Sequence, residues 1–343
     1  MPLKRILALA CMAIALSGCA TAPARTGAFV KGADIGWLQQ MEATGYKFRN
    51  KDGAEQDCLQ ILQDYGINTV RLRTWVNPSD SKTSGHNSKD ETVAMAVRAQ
   101  KRGMRVMINF HYSDSWADPA KQKKPAAWEG HDFPRLLQDV YSYTHDVMSA
   151  LKQAGVTPEW VQVGNETPGG MIYPEGSTAN WPQLAQLINQ GYDAIKAVSP
   201  SSKVILHLDQ GNNSARFRGW FDQARAHGAR YDVIGLSYYP YWLPGKPDYT
   251  QSIGDLGANL DDMAARYGKE VMVVEVGGED TQPQNTYDML VAVQRKIKAV
   301  PEGKGLGMIY WEPQGARSWS KYALSAWGDD GRPTKAMDAF LTD

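Results

Sequence analysis

Two glutamates, Glu166 and Glu275, each end a short β-branched run (VQVGNE and VMVVEV) and lie 109 residues apart. A polar side chain closing a buried run costs free energy unless it is paired or used. Two carboxylates facing one cavity can hydrolyse a glycosidic bond: one protonates the departing oxygen, while the other attacks the anomeric carbon or activates water. A salt bridge to Arg71 or Arg73 is the structural alternative for either glutamate. Comparable positions elsewhere in the chain are also polar or aromatic: Asp34 and Trp37, Trp75, His111 and Tyr112, Asn165, His207 and Asp209, Tyr238 and Tyr239, Trp311 and Glu312. Stability alone is better served by apolar groups, so this convergence points to a site. Trp116, Trp128, Tyr241 and Trp242, in the adjoining loops, add flat faces of the kind that stack on sugar rings or simply pack a loop.

The elements that must carry these residues are legible from hydrophobic periodicity. Eight short apolar runs, starting at Gly32, Thr69, Arg105, Trp160, Lys203, Asp232, Glu270 and Gly305, are spaced 37, 36, 55, 43, 29, 38 and 35 residues apart. Between them lie stretches of 3.6-residue period, several ending on a glycine: Gly66, Gly103, Gly155 and Gly268. This spacing predicts a single (β/α)8 barrel of the α/β class, with long loops over 113–132 and 167–180. In that fold the C-terminal strand ends share one rim, which would place Glu166 on strand four and Glu275 on strand seven around one mouth. A doubly wound open sheet is the rival, but the turn after the first run, GWLQQMEATGYKF, lacks its glycine-rich phosphate signature.

Composition narrows the function classes. Lys plus Arg and Asp plus Glu both number 37 in 343 residues, so there is no basic field for nucleic acid. Eleven Trp and sixteen Tyr against seven Phe favour half-wet clefts. Lys4 and Arg5, the apolar run Ile6–Leu16 and the sequence LSGC predict a lipoprotein signal over residues 1–18, with lipidation of Cys19 and a tether over 19–29 before the catalytic domain at 30–343. An ordinary signal peptide cut nearer Ala24 is the alternative. Lipidation implies a membrane partner and export, and Ala20 after the cysteine fits outer-membrane sorting. Cleavage before Cys19 leaves 35 basic and 37 acidic residues. Of the three cysteines, Cys58 would then lack a partner and is expected to be a small buried group. Neither a cofactor nor a bound metal is expected, and the chain is expected to be a monomer.

Seven segments, GADIGWLQQMEATGYKF, TVRLRTWVNP, HYSDSWADPAKQKKPAAW, GVTPEWVQVGNE, DVIGLSYYPYW, YGKEVMVVEV and GLGMIYWEPQ, together resemble glycoside hydrolase family 53, the endo-β-1,4-galactanases of clan A. The resemblance spans about Val30 to Phe340. It implies retaining hydrolysis of β-1,4-galactan in type I arabinogalactan, with Glu166 as acid/base and Glu275 as nucleophile. Asn165 would bind the sugar 2-hydroxyl, Arg71 would hold the nucleophile ionised, Tyr238 would lie beside it, and Trp311 would floor the reacting subsite. Asp34, His111, His207, Trp75 and Trp116 are the remaining candidates for substrate binding or support. Asn109, where many members carry Asp, and Val276-Gly277-Gly278, where many carry Thr-Ala-aromatic, depart from the pattern. Sugar identity rests on the resemblance. A clan relative acting on mannan or glucan, a non-catalytic glycan-binding lipoprotein, and a phosphate-binding barrel using Gly277 and Gly278 are the other readings.

Overall fold

In the computed structural model, residues 27–79 and 86–342 are described. Eight strands, β1 (Val30–Asp34), β2 (Thr69–Thr74), β3 (Arg105–Phe110), β4 (Trp160–Val163), β5 (Lys203–Leu208), β6 (Val233–Tyr238), β7 (Glu270–Val276) and β8 (Gly305–Trp311), pair in parallel, each with the next in sequence, and β8 closes on β1. Parallel strands need long crossovers. The helices supply them: α1 (Leu38–Ala43), α2 (Cys58–Asp64), α3 (Lys89–Lys101), α4 (Phe133–Gln153), α5 (Trp181–Val198), α6 (Ser214–Ala226), α7 (Ile253–Tyr267) and α8 (Pro283–Lys298). The protein is a (β/α)8 barrel, as the spacing predicts.

Start and stop signals explain the helix boundaries. Ser88 and Glu91 form a reciprocal capping box on α3, and Asp132 caps α4 through the Arg135 N–H at 3.0 Å. Gly66, Gly103, Gly155 and Gly268 all take positive φ at or just past helix ends. Burial then divides the strand residues in two. Val30, Met107, Trp160, Ile205, Val233, Met272, Val274 and Ile309 pack together inside the barrel. Alternate residues such as Val70, Ile108, Val161, Leu206, Val271 and Val273 pack outward against the helices. Cys58 is a free thiol buried in that outer layer. Cys19 and the segment assigned to the signal and anchor lie outside the described residues.

Two local departures from regular strand geometry matter for the site. On β7 the pairing with β6 runs Leu236 to Val273 and then Ser237 to Glu275, leaving Val274 as an extra residue. Such a bulge breaks the in–out alternation. Val274 and Glu275 therefore both point into the barrel, whereas Val273 and Val276 pack outward. On β4 the strand ends at Val163, earlier than the sequence pattern suggests, so Asn165 and Glu166 stand on the turn beyond it. That turn uses positive φ at Gly164 (+76°) and Glu166 (+42°). Tyr112, Gln210 and Glu312, just past β3, β5 and β8, share the left-handed conformation. Non-glycine residues adopt it at a cost, and such strain gathers at functional sites.

Candidate active site

The C-terminal mouth of the barrel is organised around one buried cation. Arg71, inward on β2, has no exposed side-chain surface. Its Nη1 donates to Asp34 Oδ2 at 2.6 Å and to Glu275 Oε1 at 2.8 Å. Its Nη2 donates to Asn165 Oδ1 at 2.8 Å and Gln162 Oε1 at 3.1 Å. One guanidinium thus ties the ends of β1, β4 and β7 together, a role suited to its planar fork of donors. Asn165 is further fixed by donation from Asn109 Nδ2 at 3.0 Å and by its own donation to the Ala117 carbonyl at 2.8 Å. The salt bridge offered as the structural alternative for Glu275 exists, and it sits at the cavity rather than away from it.

Glu275 and Glu166 line one cavity of about 480 Å³, together with Trp311, Tyr239, Tyr322 and Ser237. This is within the roughly 300–1,000 Å³ usual for small-molecule sites. Burial pushes the Glu275 carboxyl up from its ordinary value, and the Arg71 charge pulls it back. Burial pushes Glu166 well above the ordinary range, and the neighbouring Glu275 charge adds to the rise. The Arg71 contact belongs to Glu275, so Glu275 ionises first and Glu166 keeps its proton.

A second chain of hydrogen bonds holds Glu166. Gln162 Nε2 lies 2.9 Å from His207 Nδ1, and the Glu166 backbone N–H also points at that nitrogen, at 3.4 Å. These donors assign the imidazole proton to Nε2. His207 Nε2 then donates to Ser237 Oγ at 2.7 Å, and Ser237 donates to Glu166 Oε1 at 2.6 Å. Burial and the Arg71 charge depress the His207 pKa well below its usual value, so the ring is neutral and serves as a fixed link.

Arg73, two residues on from Arg71 and facing the same way, extends the ion network. It pairs with Asp34 at 3.3 Å and closely with Glu312, which also accepts from the Trp37 N–H at 3.1 Å and from Gln314 Nε2 at 2.6 Å. Burial raises the Glu312 pKa to about 8 against the opposing charge of Arg73. The Arg73 guanidinium lies 4.4 Å from the Trp116 ring centroid and within 6 Å of those of Trp37, Trp75 and Trp311. Trp311 packs on Trp37, Trp116 and Tyr322 at 5.0, 5.7 and 4.8 Å between centroids. This cation beneath an aromatic cluster stiffens the platform that carries Trp311 into the cavity.

The placement of the sequence candidates is uneven. Arg71, Asn165, Glu166, His207, Glu275 and Trp311 converge, and Asp34 supports Arg71 from a fully buried position. Trp75 is buried behind Trp116 at 5.1 Å. His111 is buried, accepts the Ala117 N–H at 3.1 Å and packs edge-on against Trp75, so both support the rim from beneath. Tyr238 is a correction. Its hydroxyl pairs with Ser252 Oγ at 2.9 Å, away from Glu275, whereas Tyr239 donates to Glu275 Oε2 at 3.3 Å. The reason is strand parity: Val233, Gly235 and Ser237 face inward on β6, so Tyr239 follows them in and Tyr238 packs outward. Gln162 and Ser237 were not among the candidates, although their inward parity on β4 and β6 marks them.

Comparisons with known proteins agree with this geometry. The glycosyl hydrolase family 53 model matches residues 30–340. An arabinogalactan endo-β-1,4-galactanase of Thermothelomyces thermophilus is 34% identical over 82% of this chain and 89% of its own length. An endo-β-1,4-galactanase of Bacillus subtilis is 35% identical over 83% of this chain and 70% of its own. Among solved structures, a fungal β-1,4-galactanase superposes with a TM-score of 0.83 at 31% identity, covering 92% of this chain and all of its own (100%). The family 53 catalytic domain of Ignisphaera aggregans gives 0.83 at 26% identity, covering 93% and 97%. With a closed barrel, two carboxylates lining one cavity at its mouth and a family match across nearly all the described residues, the chain is a glycoside hydrolase and belongs to glycosyl hydrolase family 53.

Proposed function

We propose that this enzyme hydrolyses β-1,4-galactosidic bonds within galactan, the backbone of type I arabinogalactan, with retention of anomeric configuration. The observation that carries the reading is the unequal pairing of the two glutamates: Glu275 is bridged to Arg71, whereas Glu166, across the same cavity, meets the Ser237 hydroxyl and no cation among the described residues. The names of the family 53 relatives supply the sugar.

In the first step the ionised Glu275 carboxylate forms a bond to the anomeric carbon while the bond to the departing oxygen breaks. Glu166 gives its proton to that oxygen. The glycosyl-enzyme ester removes the negative charge of Glu275, and the pKa of Glu166 falls. Glu166, now a carboxylate steadied by Ser237, takes a proton from water as the water oxygen attacks the anomeric carbon, and Glu275 leaves as carboxylate. Trp311 lines the cavity beside the reacting sugar, and Asn165, held by Arg71 and Asn109 next to Glu166 in the chain, is the group assigned to its 2-hydroxyl.

Product analysis on galactan, with β-mannan and β-glucan alongside, tests the substrate, and Glu275→Gln tests the role. Galactan turnover lost in the variant while galacto-oligosaccharide binding persists is the expected result. Substantial residual turnover, or preferential cleavage of mannan or glucan by the wild type, would refute the assignment. Proton NMR of the first-formed anomer tests retention. Lipidation at Cys19 is part of the same proposal. Radiolabelled palmitate incorporation, lost in Cys19→Ala, is the expected signature.

A further inference from the structure

Gln122, on the loop after β3 and within the segment HYSDSWADPAKQKKPAAW, is buried although it belongs to no helix or strand. A tight turn just before it, in which the Asp118 and Lys121 backbones bond each other both ways at 2.9 Å, sets it against the turn that carries Glu166. Gln122 Nε2 donates to the Asn165 carbonyl at 2.8 Å and to the Glu166 carbonyl at 3.0 Å, and lies 3.0 Å from the Asp118 carbonyl. The two peptide units concerned are those on either side of the Glu166 Cα. His207 holds both at their opposite edges: the Glu166 N–H points at its Nδ1 at 3.4 Å, and the Thr167 N–H donates to its carbonyl at 2.9 Å.

We infer that Gln122 is a positioning residue for the acid/base: by clamping the backbone on both sides of the Glu166 Cα, it holds that residue in the left-handed conformation that aims its carboxyl into the cavity. The inference rests on the role proposed for Glu166. Successive carbonyls alternate in direction along an extended backbone and point the same way only in a helical one. One amide therefore reaches both carbonyls only while Glu166 stays helical, and its φ of +42° is of the left-handed kind. A residue other than glycine holds that conformation only where its surroundings enforce it. A simple tie between the two loops would need one of these bonds and would leave the Glu166 backbone free to turn. Without the amide, relaxation toward extended geometry would swing the carboxyl away from Ser237 and from the departing oxygen.

The test separates proton donation from the rest of the reaction. Gln122→Met keeps the length of the side chain and removes the donor; Gln122→Glu keeps its shape and sets carboxylate oxygens against the carbonyls. The assay compares kcat/KM on two aryl β-galactobiosides: a phenyl one, whose leaving group needs a proton, and a dinitrophenyl one, whose leaving group departs without it. A misplaced acid slows only the first. Both variants are expected to lose about ten- to a hundredfold on the phenyl substrate, the scale of a misplacement of about 1 Å. On the dinitrophenyl substrate they should stay within about threefold of wild type, which also reports a folded site. If Gln122→Met does not fold, Gln122→Glu decides by the same ratio. Glu166→Gln, run alongside, should show the same selective loss in stronger form. Gln122 variants that keep the wild-type ratio of the two rates while Glu166→Gln lowers it overturn this inference alone. A Glu166→Gln enzyme that loses both substrates alike, or a wild type that cuts neither, overturns the acid/base reading and this one with it.

Discussion

Replacing Ser237 with alanine should move one limb of the pH–rate profile and leave the other in place. Ser237 donates to Glu166 Oε1 at 2.6 Å and is itself held by His207 at 2.7 Å, so its proton has one preferred direction. A hydrogen bond to a charged acceptor contributes roughly 1.5–3 kcal/mol, and one between neutral groups about 1 kcal/mol. Removing the donor therefore penalises ionised Glu166 more than protonated Glu166 by about 1–2 kcal/mol, or close to one pKa unit. The proposed acid step needs Glu166 protonated, so activity falls as pH rises through its pKa. That alkaline limb should shift upward by about one unit in Ser237→Ala. The acid limb reports Glu275, which Ser237 does not touch, and should stay put. The measurement is kcat/KM on a soluble galacto-oligosaccharide across the acid to alkaline range, with melting curves to confirm folding. An alkaline limb that is unmoved or displaced downward, or an equal shift of both limbs, would refute the reasoning.

Tyr239→Phe is the complementary case: losing the donor to Glu275 should raise the pKa of that carboxyl, move the acid limb up by about half a unit to one unit, and spare the alkaline limb. Glu166→Gln should stabilise the fold while abolishing galactan turnover. With a folded pKa above the unfolded one, the native state holds a proton that the unfolded chain releases, and stability declines as pH climbs from the ordinary carboxyl range toward the folded value. The variant should therefore melt ~2–4 °C higher than wild type at neutral pH and show no advantage below about pH 4; an equal gain at both would count against a raised pKa. Gly36→Ala should disable the site from beneath, since a Cβ there falls 2.2 Å from Arg73 Nη1. Displacing that buried cation from Glu312 and the tryptophan cluster should cost about 2 kcal/mol or more in chemical denaturation, together with most of the activity. Unchanged stability would mean the Arg73 network is dispensable.

The eight-fold period, the inward-facing arginines and both glutamates could be read from the chain, because strand alternation and strand-to-strand spacing are properties of sequence order. VQVGNE and VMVVEV could be recognised as strand ends, and parallel closure then puts strand ends on one rim. Which face each end residue took was another matter. Strict alternation along β7 would turn Glu275 outward with Val271 and Val273; the bulge at Val274, set by pairing with β6, turns it to Arg71. Alternation did hold on β6, and there it placed Tyr239 rather than Tyr238 beside Glu275. The link from Gln162 through His207 and Ser237 to Glu166 joins β4, β5 and β6, and Arg71 joins β1, β2, β4 and β7. The composition of each strand fixes what can be offered at the rim. Only closure of the barrel, which sets register and brings distant strands within hydrogen-bonding reach, decides which carboxylate is paired with a cation and which is left holding a proton.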